Sequence, residues 1–153
     1  MTDDEIKLRG YAAIGLDNPK CAANAGGVMR AAGCYGAAMV VLSGLRMKRW
    51  STDTSKAWRT MPVVQCEHLH EALPYDCVPV AVDLLTGAKP LHTYVHPERA
   101  FYVFGAEDAT LGSRITNWCR DKVYVPTHGC MNLAATVNVV LYDRLAKQLR
   151  GKR

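Results

Sequence analysis

The sequence predicts an α/β protein: a mostly parallel sheet with helices on both faces. Three observations carry this. Short β-like runs alternate along the chain with helix-like segments, the order that builds parallel sheets through crossover connections. Two of the runs, VPVAV (78–82) and FYVF (101–104), are apolar without interruption, as strands covered on both faces must be. Glycine, asparagine and acidic residues gather just after the strand-like runs, where open parallel sheets hold their ligands.

The elements follow in order. YAAIGL (11–16) and AAMVVL (37–42) read as strands. Between them, residues 18–36 hold an Asn-Pro turn, the Gly26–Gly27 pair and a helical stretch ending at Gly36, a strand–helix–strand unit. Residues 43–61 predict a loop and then a helix. VVQC (63–66) is a strand and HLHEAL (68–73) a short helix. CVPVAVDL (77–84) and AFYVFG (100–105) are strands, ITNWCRD (115–121) a short helix, and KVYVP (122–126) the last strand. Residues 131–149 form a nearly apolar terminal helix, with Asn138 read as a buried amide satisfied by backbone or by a partner chain. Neither repeats nor a linker interrupt the pattern, so 1–153 is expected to be a single domain.

Hydrophobic residues make up 49% and charged residues 22% of the chain, a globular balance. Its cysteines, at 21, 34, 66, 77, 119 and 130, form no C-x-x-C pair, and a chain with this much core material needs no disulfide framework. Reduced thiols and a cytoplasmic location are the expectation. The acidic start, MTDDEIKLRG, is not a secretory signal. Apolar runs stay short of the roughly 18 residues that mark a membrane span. His68 and His70 are followed by no matching ligands, so no metal is expected. The net charge of +5 is compatible with nucleic acid as a partner without demanding it.

Four stretches carry chemistry. In NAGGVMR (24–30), two glycines ahead of a helix would let a ligand approach, and the helix start would favour an anion. Arg30, about a turn and a half into that helix, needs an anionic partner or a route to water; its planar fork suits a phosphate, and a surface arginine is the plainer alternative. In FGAED (104–108), Glu107 could accept from a ligand hydroxyl, hold Arg30 or cap a helix, or could belong to an ordinary turn. In VPTHGCMN (125–132), Asn132 is placed to cap the last helix or bond a neighbouring loop; a His128–Cys130 nucleophile lacks a third orienting group. Finally, Arg46, Lys48, Arg49, Lys56 and Arg59 interleave with Trp50 and Trp58, either an RNA-facing strip or a solvated helix face with buried indoles.

Taken in this order, three of these stretches resemble the SpoU-type (TrmH-like) family within the SPOUT class of RNA methyltransferases, over about residues 11–149. The family's Asn-x-Gly stretch followed by Arg is matched by Asn24, Gly26 and Arg30. Its Phe-Gly-x-Glu is matched by Phe104, Gly105 and Glu107, and its last motif by Pro126, Gly129 and Met131-Asn132. The aliphatic run closing on Tyr-Glu appears as VVLYD (139–143). Cys130 stands where the family usually has serine, the loop from Pro126 is shortened, and the stretch up to Gly112 is lengthened.

The resemblance implies a C-terminal deep trefoil knot, a homodimer, and S-adenosylmethionine as the methyl donor, with no metal. It implies cofactor contacts from Val82, Asp83, Phe104, Gly105, Val125, Pro126, Gly129, Cys130 and Met131. Arg30, Asn24, Glu107 and Asn132 would serve the reaction, with Asn24 and Asn132 holding Arg30, the loops or the ribose, and Glu107 bracing the arginine or the knot loop. A guanidinium is a poor base, so binding a phosphate and orienting the ribose come first for Arg30. The chain adds little outside the core domain, like the compact members that methylate tRNA. The function implied is therefore tRNA 2′-O-ribose methylation. The alternatives are the same reaction on rRNA, or an RNA-binding protein of this fold that has lost catalysis. A Rossmann-type enzyme would need a G-x-G-x-x-G turn, which the sequence lacks.

Overall fold

The computed structural model describes residues 8–44 and 59–151. Its strands are β1 (Tyr11–Leu16), β2 (Met39–Ser43), β3 (Val63–Cys66), β4 (Val78–Val82), β5 (Lys89–Pro90), β6 (Arg99–Phe104) and β7 (Asp121–Tyr124). They form one sheet in the order β3-β2-β1-β6-β4-β7-β5, every neighbouring pair parallel. The helices are α1 (Ala22–Cys34), α2 (Ser113–Thr116) and α3 (Leu133–Arg150). This is the α/β class the alternation predicts. Among the described residues, no helix is long and apolar enough to cross a membrane.

Strand β6 shows why FYVF is apolar throughout. Side chains alternate across a strand. Tyr102 and Phe104 pack with Ile14, Met29, Val80 and Val140 beneath α1 and α3. Phe101 and Val103 face the other way, toward Ala13, Val41, Leu69 and Ile115. All four β6 residues are at most 1% exposed.

Several boundaries differ from the sequence reading. Helix α1 opens at Ala22, so Gly26 and Gly27 lie inside it rather than ahead of it, and Arg30 stands more than two turns in. Gly27 serves packing: a Cβ there would lie 2.9 Å from the Cβ of Ala134, so glycine lets α1 and α3 come together. Of residues 115–121, only Ile115 and Thr116 are helical, and Asp121 opens β7. The short helix expected over 68–73 is present as a 3-10 turn, Leu69–Ala72, with His68 just before it. The two-residue strand β5 had no signal, because a Lys-Pro pair carries no periodicity. Most of the helix expected within 43–61 lies outside the described residues. Asn138 is exposed in the single chain, and its Nδ2 donates 2.8 Å to the carbonyl of Ala134, the backbone partner that the sequence reading allowed.

At the amino-terminal side of β6, α3 inserts a polar cluster that the sequence did not announce. Arg144, 6% exposed, donates to Pro97 O (2.6 Å), Glu98 O (2.7 Å) and Tyr102 Oη (3.1 Å). Tyr102 Oη lies 2.7 Å from His96 Nδ1, and His96 Nε2 lies 2.8 Å from Asp143. A neutral imidazole uses every donor in the cluster: Arg144 donates to Tyr102, Tyr102 to Nδ1, and Nε2–H to Asp143. Burial pushes the His96 pKa down, outweighing Asp143, whose charge already meets Lys147 at 2.6 Å. Burial likewise pushes the Tyr102 hydroxyl up to about 12.

Candidate active site

Beyond the carboxyl ends of β4, β6 and β7 the loops enclose a cleft of about 960 Å³. All nine residues that the family resemblance implies for the cofactor line it: Val82, Asp83, Phe104, Gly105, Val125, Pro126, Gly129, Cys130 and Met131. The loop after β6 forms one wall. Asp83 ties it down, with one carboxylate oxygen accepting from Leu84 N at 2.7 Å and the other from Leu111 N at 2.9 Å. Gly105 lies under this loop; a Cβ there would press to 3.1 Å from Ala109 O. The opposite wall is the 125–131 segment, in which Thr127 Oγ1 donates to Gly129 O at 2.6 Å.

The rim is a chain of three polar side chains from three distant segments. Asn132 caps α3: its Oδ1 accepts from Ala134 N (2.9 Å) and Ala135 N (3.3 Å). Its Nδ2 donates to Asn24 Oδ1 at 2.8 Å, and Asn24 Nδ2 donates to Glu107 Oε1 at 3.1 Å. Each amide thus has both ends defined. Glu107 also accepts from Lys20 N (3.1 Å) and Cys21 N (3.4 Å).

This arrangement shows which of the expected partners these side chains take within the chain. The amino terminus of α1 has no side-chain cap of its own and holds the carboxylate of Glu107 in place of a ligand anion. Glu107 therefore braces α1 and Asn24, not Arg30. Although partial burial opposes it, the surrounding N–H donors hold the Glu107 pKa below its ordinary value. Asn24 and Asn132 hold each other and the loops, and neither bonds Arg30. Arg30 is exposed and makes no hydrogen bond or ion pair among the described residues. It does not line the cleft.

His128 and Cys130 both line the cleft and are exposed, with no hydrogen bond between them. Sequence reasoning missed Leu84 and Thr136, which also line it. Leu84 is 77% exposed although hydrophobic, and Thr136 falls one turn after Asn132, whose carbonyl it bonds at 3.0 Å. Of the proposed RNA-facing strip, Arg59 is exposed, while Arg46, Lys48, Arg49 and Lys56 lie outside the described residues. No group of His, Cys, Asp and Glu among the described residues could hold a metal ion.

Fold and cleft together define an α/β protein with a ligand-sized site beyond the carboxyl ends of its parallel strands, closed by a capped carboxyl-terminal helix. The model of the SpoU rRNA Methylase family matches residues 11–142, and the chain belongs to that family. No curated protein sequence matches it. Among solved structures it is similar to the SpoU methyltransferase AviRb from Streptomyces viridochromogenes (TM-score 0.82, 19% identity, 97% of this chain and 64% of that one). AviRb in complex with the cofactor AdoMet matches as well (TM-score 0.81, 17% identity, 98% and 66%). The chain thus spans less than two thirds of AviRb. It is also similar to the A. aeolicus TrmH/SpoU tRNA modifying enzyme (TM-score 0.81, 15% identity, 95% and 79%). A further match is a structure concerned with the 2-OH methylation of C/U34 on tRNA (TM-score 0.74, 23% identity, 93% and 92%).

Proposed function

We propose that the protein is an S-adenosylmethionine-dependent RNA 2′-O-ribose methyltransferase whose substrate is tRNA. One observation carries the reading. The family's cofactor positions converge on one cleft, and Asn24, Glu107 and Asn132 are hydrogen-bonded along its rim. The cleft falls in the range of about 300–1,000 Å³ that holds cofactor-sized ligands. Its walls suit the group: Val82, Phe104 and Val125 offer apolar surface, and the carboxylates of Asp83, Glu107 and Asp108 lie along it. When bound, the cofactor supplies a methyl group activated by a positively charged sulfur.

The chain's own residues would bind and orient. A ribose hydroxyl must be held about 3 Å from the methyl carbon to react. Arg30, exposed and unneutralised by any carboxylate among the described residues, would bind the RNA phosphate and fix the ribose. Asn24 and Asn132 would keep α1 and α3 in register at the rim. Val139, Tyr142 and Leu149, which are 38%, 60% and 42% exposed along one side of α3, support a homodimer that covers this face. The trefoil knot of the family would thread the same loops that wall the cleft.

The choice of tRNA draws support from the likeness to the C/U34 tRNA structure, which runs over 92% of that chain. The family's own description favours rRNA as the second reading. The test is purified protein with labelled S-adenosylmethionine and either unfractionated tRNA or rRNA, followed by nuclease digestion and mass spectrometry. The expected product is a 2′-O-methylated nucleotide in tRNA. Label in rRNA alone selects the second reading. No label in either, with no heat on calorimetric titration at millimolar cofactor, would leave an RNA-binding protein without catalysis.

A further inference from the structure

We infer that a second cavity, on the face of the sheet opposite α1 and α3, holds one unstacked base of the RNA substrate, an inference that rests on the functional reading above. Its volume is about 350 Å³. Buried Leu69 and Ile115 line it from the core side, and Trp118, His70, Glu71 and Arg114 complete its walls. It opens at the same end of the sheet as the cleft, because Leu69 follows β3 and Arg114 reaches Asp17, the residue after β1. The two sites also share a segment. Leu111, bonded to Asp83 in the cleft wall, precedes Arg114 by three residues. A strand of RNA laid across that segment meets both.

The aromatic wall is fixed before any ligand arrives. Trp118 Nε1 donates 3.0 Å to the carbonyl of Arg114, one turn back. Phe101, wholly buried, stacks with the indole, centroids 6.5 Å apart and planes 22° off parallel. His70 meets the indole at 5.3 Å and 60°, so the two rings form an angled corner. Trp118 is nevertheless only half-buried, and its open surface lines the cavity. A pinned, half-open indole is a platform for stacking. Every base has a π-face to lay on it, and little side-chain freedom is lost when one does.

The polar groups around the indole divide the recognition. Arg114 gives one nitrogen to Asp17 at 3.4 Å, and its side chain is 63% exposed. Its other N–H donors suit the phosphate attached to the stacked base. Glu71 is exposed and offers only acceptors. It would repel a phosphate but accept from a base amino group, which cytosine, adenine and guanine carry and uracil lacks. The cavity therefore favours an amino-bearing base over uracil, with the phosphate on the Arg114 side.

Ultraviolet cross-linking of the protein to unfractionated tRNA, with mass spectrometry of the joined peptides, tests the place; links are expected within 68–71 and 114–118. Trp118→Leu, which keeps an apolar group against Phe101, should weaken tRNA affinity about 5- to 100-fold, the scale of one base–aromatic stack. Arg114→Gln should weaken it too and lower the log–log salt slope by about 0.7–0.9. In methyl transfer both variants should raise KM and keep kcat, since neither side chain lines the cleft. The native protein should bind short oligo(A) or oligo(C) about 3- to 10-fold more tightly than oligo(U), and Glu71→Gln should narrow that difference. Arg114 and Glu71 are exposed, so their variants decide the matter if Trp118→Leu fails to fold. Native affinity in a folded Trp118→Leu or in Arg114→Gln, equal binding of the three oligonucleotides, or cross-links only to other segments overturns the inference. A native protein that binds tRNA without methylating it sinks the functional reading alone. One that methylates tRNA while the variants bind normally sinks this inference alone.

Discussion

Glu107→Gln isolates the charge at the amino terminus of α1. In the native chain one carboxylate oxygen accepts from Lys20 N, and the other accepts from Cys21 N and Asn24 Nδ2. Glutamine offers a single acceptor, and its NH₂ group must then face a donor. The placement that costs least keeps Cys21 and Asn24 on the oxygen and gives up Lys20. The variant therefore loses one charge-assisted bond and the interaction with the α1 dipole. Glu107 is exposed to solvent, so both effects are screened, and together they come to about 1 kcal/mol. For a chain of this size that is a fall in Tm of about 2–4 °C at pH 7. The pH dependence has a definite sign. The folded-state pKa lies below the ordinary 4.5, so the carboxylate favours the fold above that value, and its contribution disappears as pH falls through the folded pKa. Thermal unfolding followed by circular dichroism from pH 7 to pH 3 should show two curves that converge in acid. Parallel curves across that range would refute the assignment of Glu107 as the anionic cap of α1.

Arg30→Ala should abolish methyl transfer while Tm and S-adenosylmethionine affinity by calorimetry stay near the native values, because Arg30 is exposed and outside the cleft; retained transfer counts against its assignment. Arg144→Met should destabilise by about 2–3 kcal/mol in denaturant unfolding, since it strands the Pro97 carbonyl in a buried site and takes a donor from Glu98 O and from the Tyr102 hydroxyl, although Glu98 O keeps Tyr11 N; a loss under about 1 kcal/mol would mean that water replaces the guanidinium. Asn132→Asp keeps the cap on α3 but removes the donor to Asn24, so methyl transfer should fall about tenfold or more with little change in Tm; equal losses in both would reduce Asn132 to a cap. Alanine at Lys48 and Arg49 should weaken tRNA binding and lower its log–log salt slope by about 1.5; an unchanged slope returns that strip to a solvated face.

What was legible in the sequence was what repeats or punctuates. The strands showed because both faces of β4 and β6 are covered, which leaves runs such as VPVAV with no polar residue to obscure them. The cleft showed because the chain turns close under Ala109 O at Gly105 beyond β6 and leaves β7 through Pro126. Contacts between segments far apart in sequence were not legible. Glu107 meets α1 across more than eighty residues, and nothing local in FGAED distinguishes that partner from Arg30. The Gly26–Gly27 pair misled for a related reason: glycine signals a turn and a close helix contact alike, and only Ala134 on α3 decides between them. Arg144 left one faint trace. It falls at helical spacing with Leu133, Val137 and Leu141, all buried, so its place on the apolar face of α3 was readable as a buried cation whose partners were not.

The division of charge around the rim bears on how the site would handle RNA. An acid and an arginine on neighbouring elements invite an ion pair, yet here they are kept apart. The charge of Glu107 is taken up by two backbone N–H groups, by Asn24 and by the positive end of α1. Had Glu107 paired with Arg30 instead, a phosphate would have to break that bridge, and its binding would be weakened by the cost of the exchange. Keeping the carboxylate occupied leaves the guanidinium without an internal anion to release. Glu107→Ala should therefore act on RNA indirectly, by loosening Asn24 and the start of α1, and should leave the salt dependence of tRNA binding unchanged. Arg30→Ala should lower that dependence by about one counterion, a log–log slope smaller by roughly 0.7–0.9. A Glu107→Ala variant with a steeper slope than the native protein would show that Glu107 had been neutralising Arg30 after all.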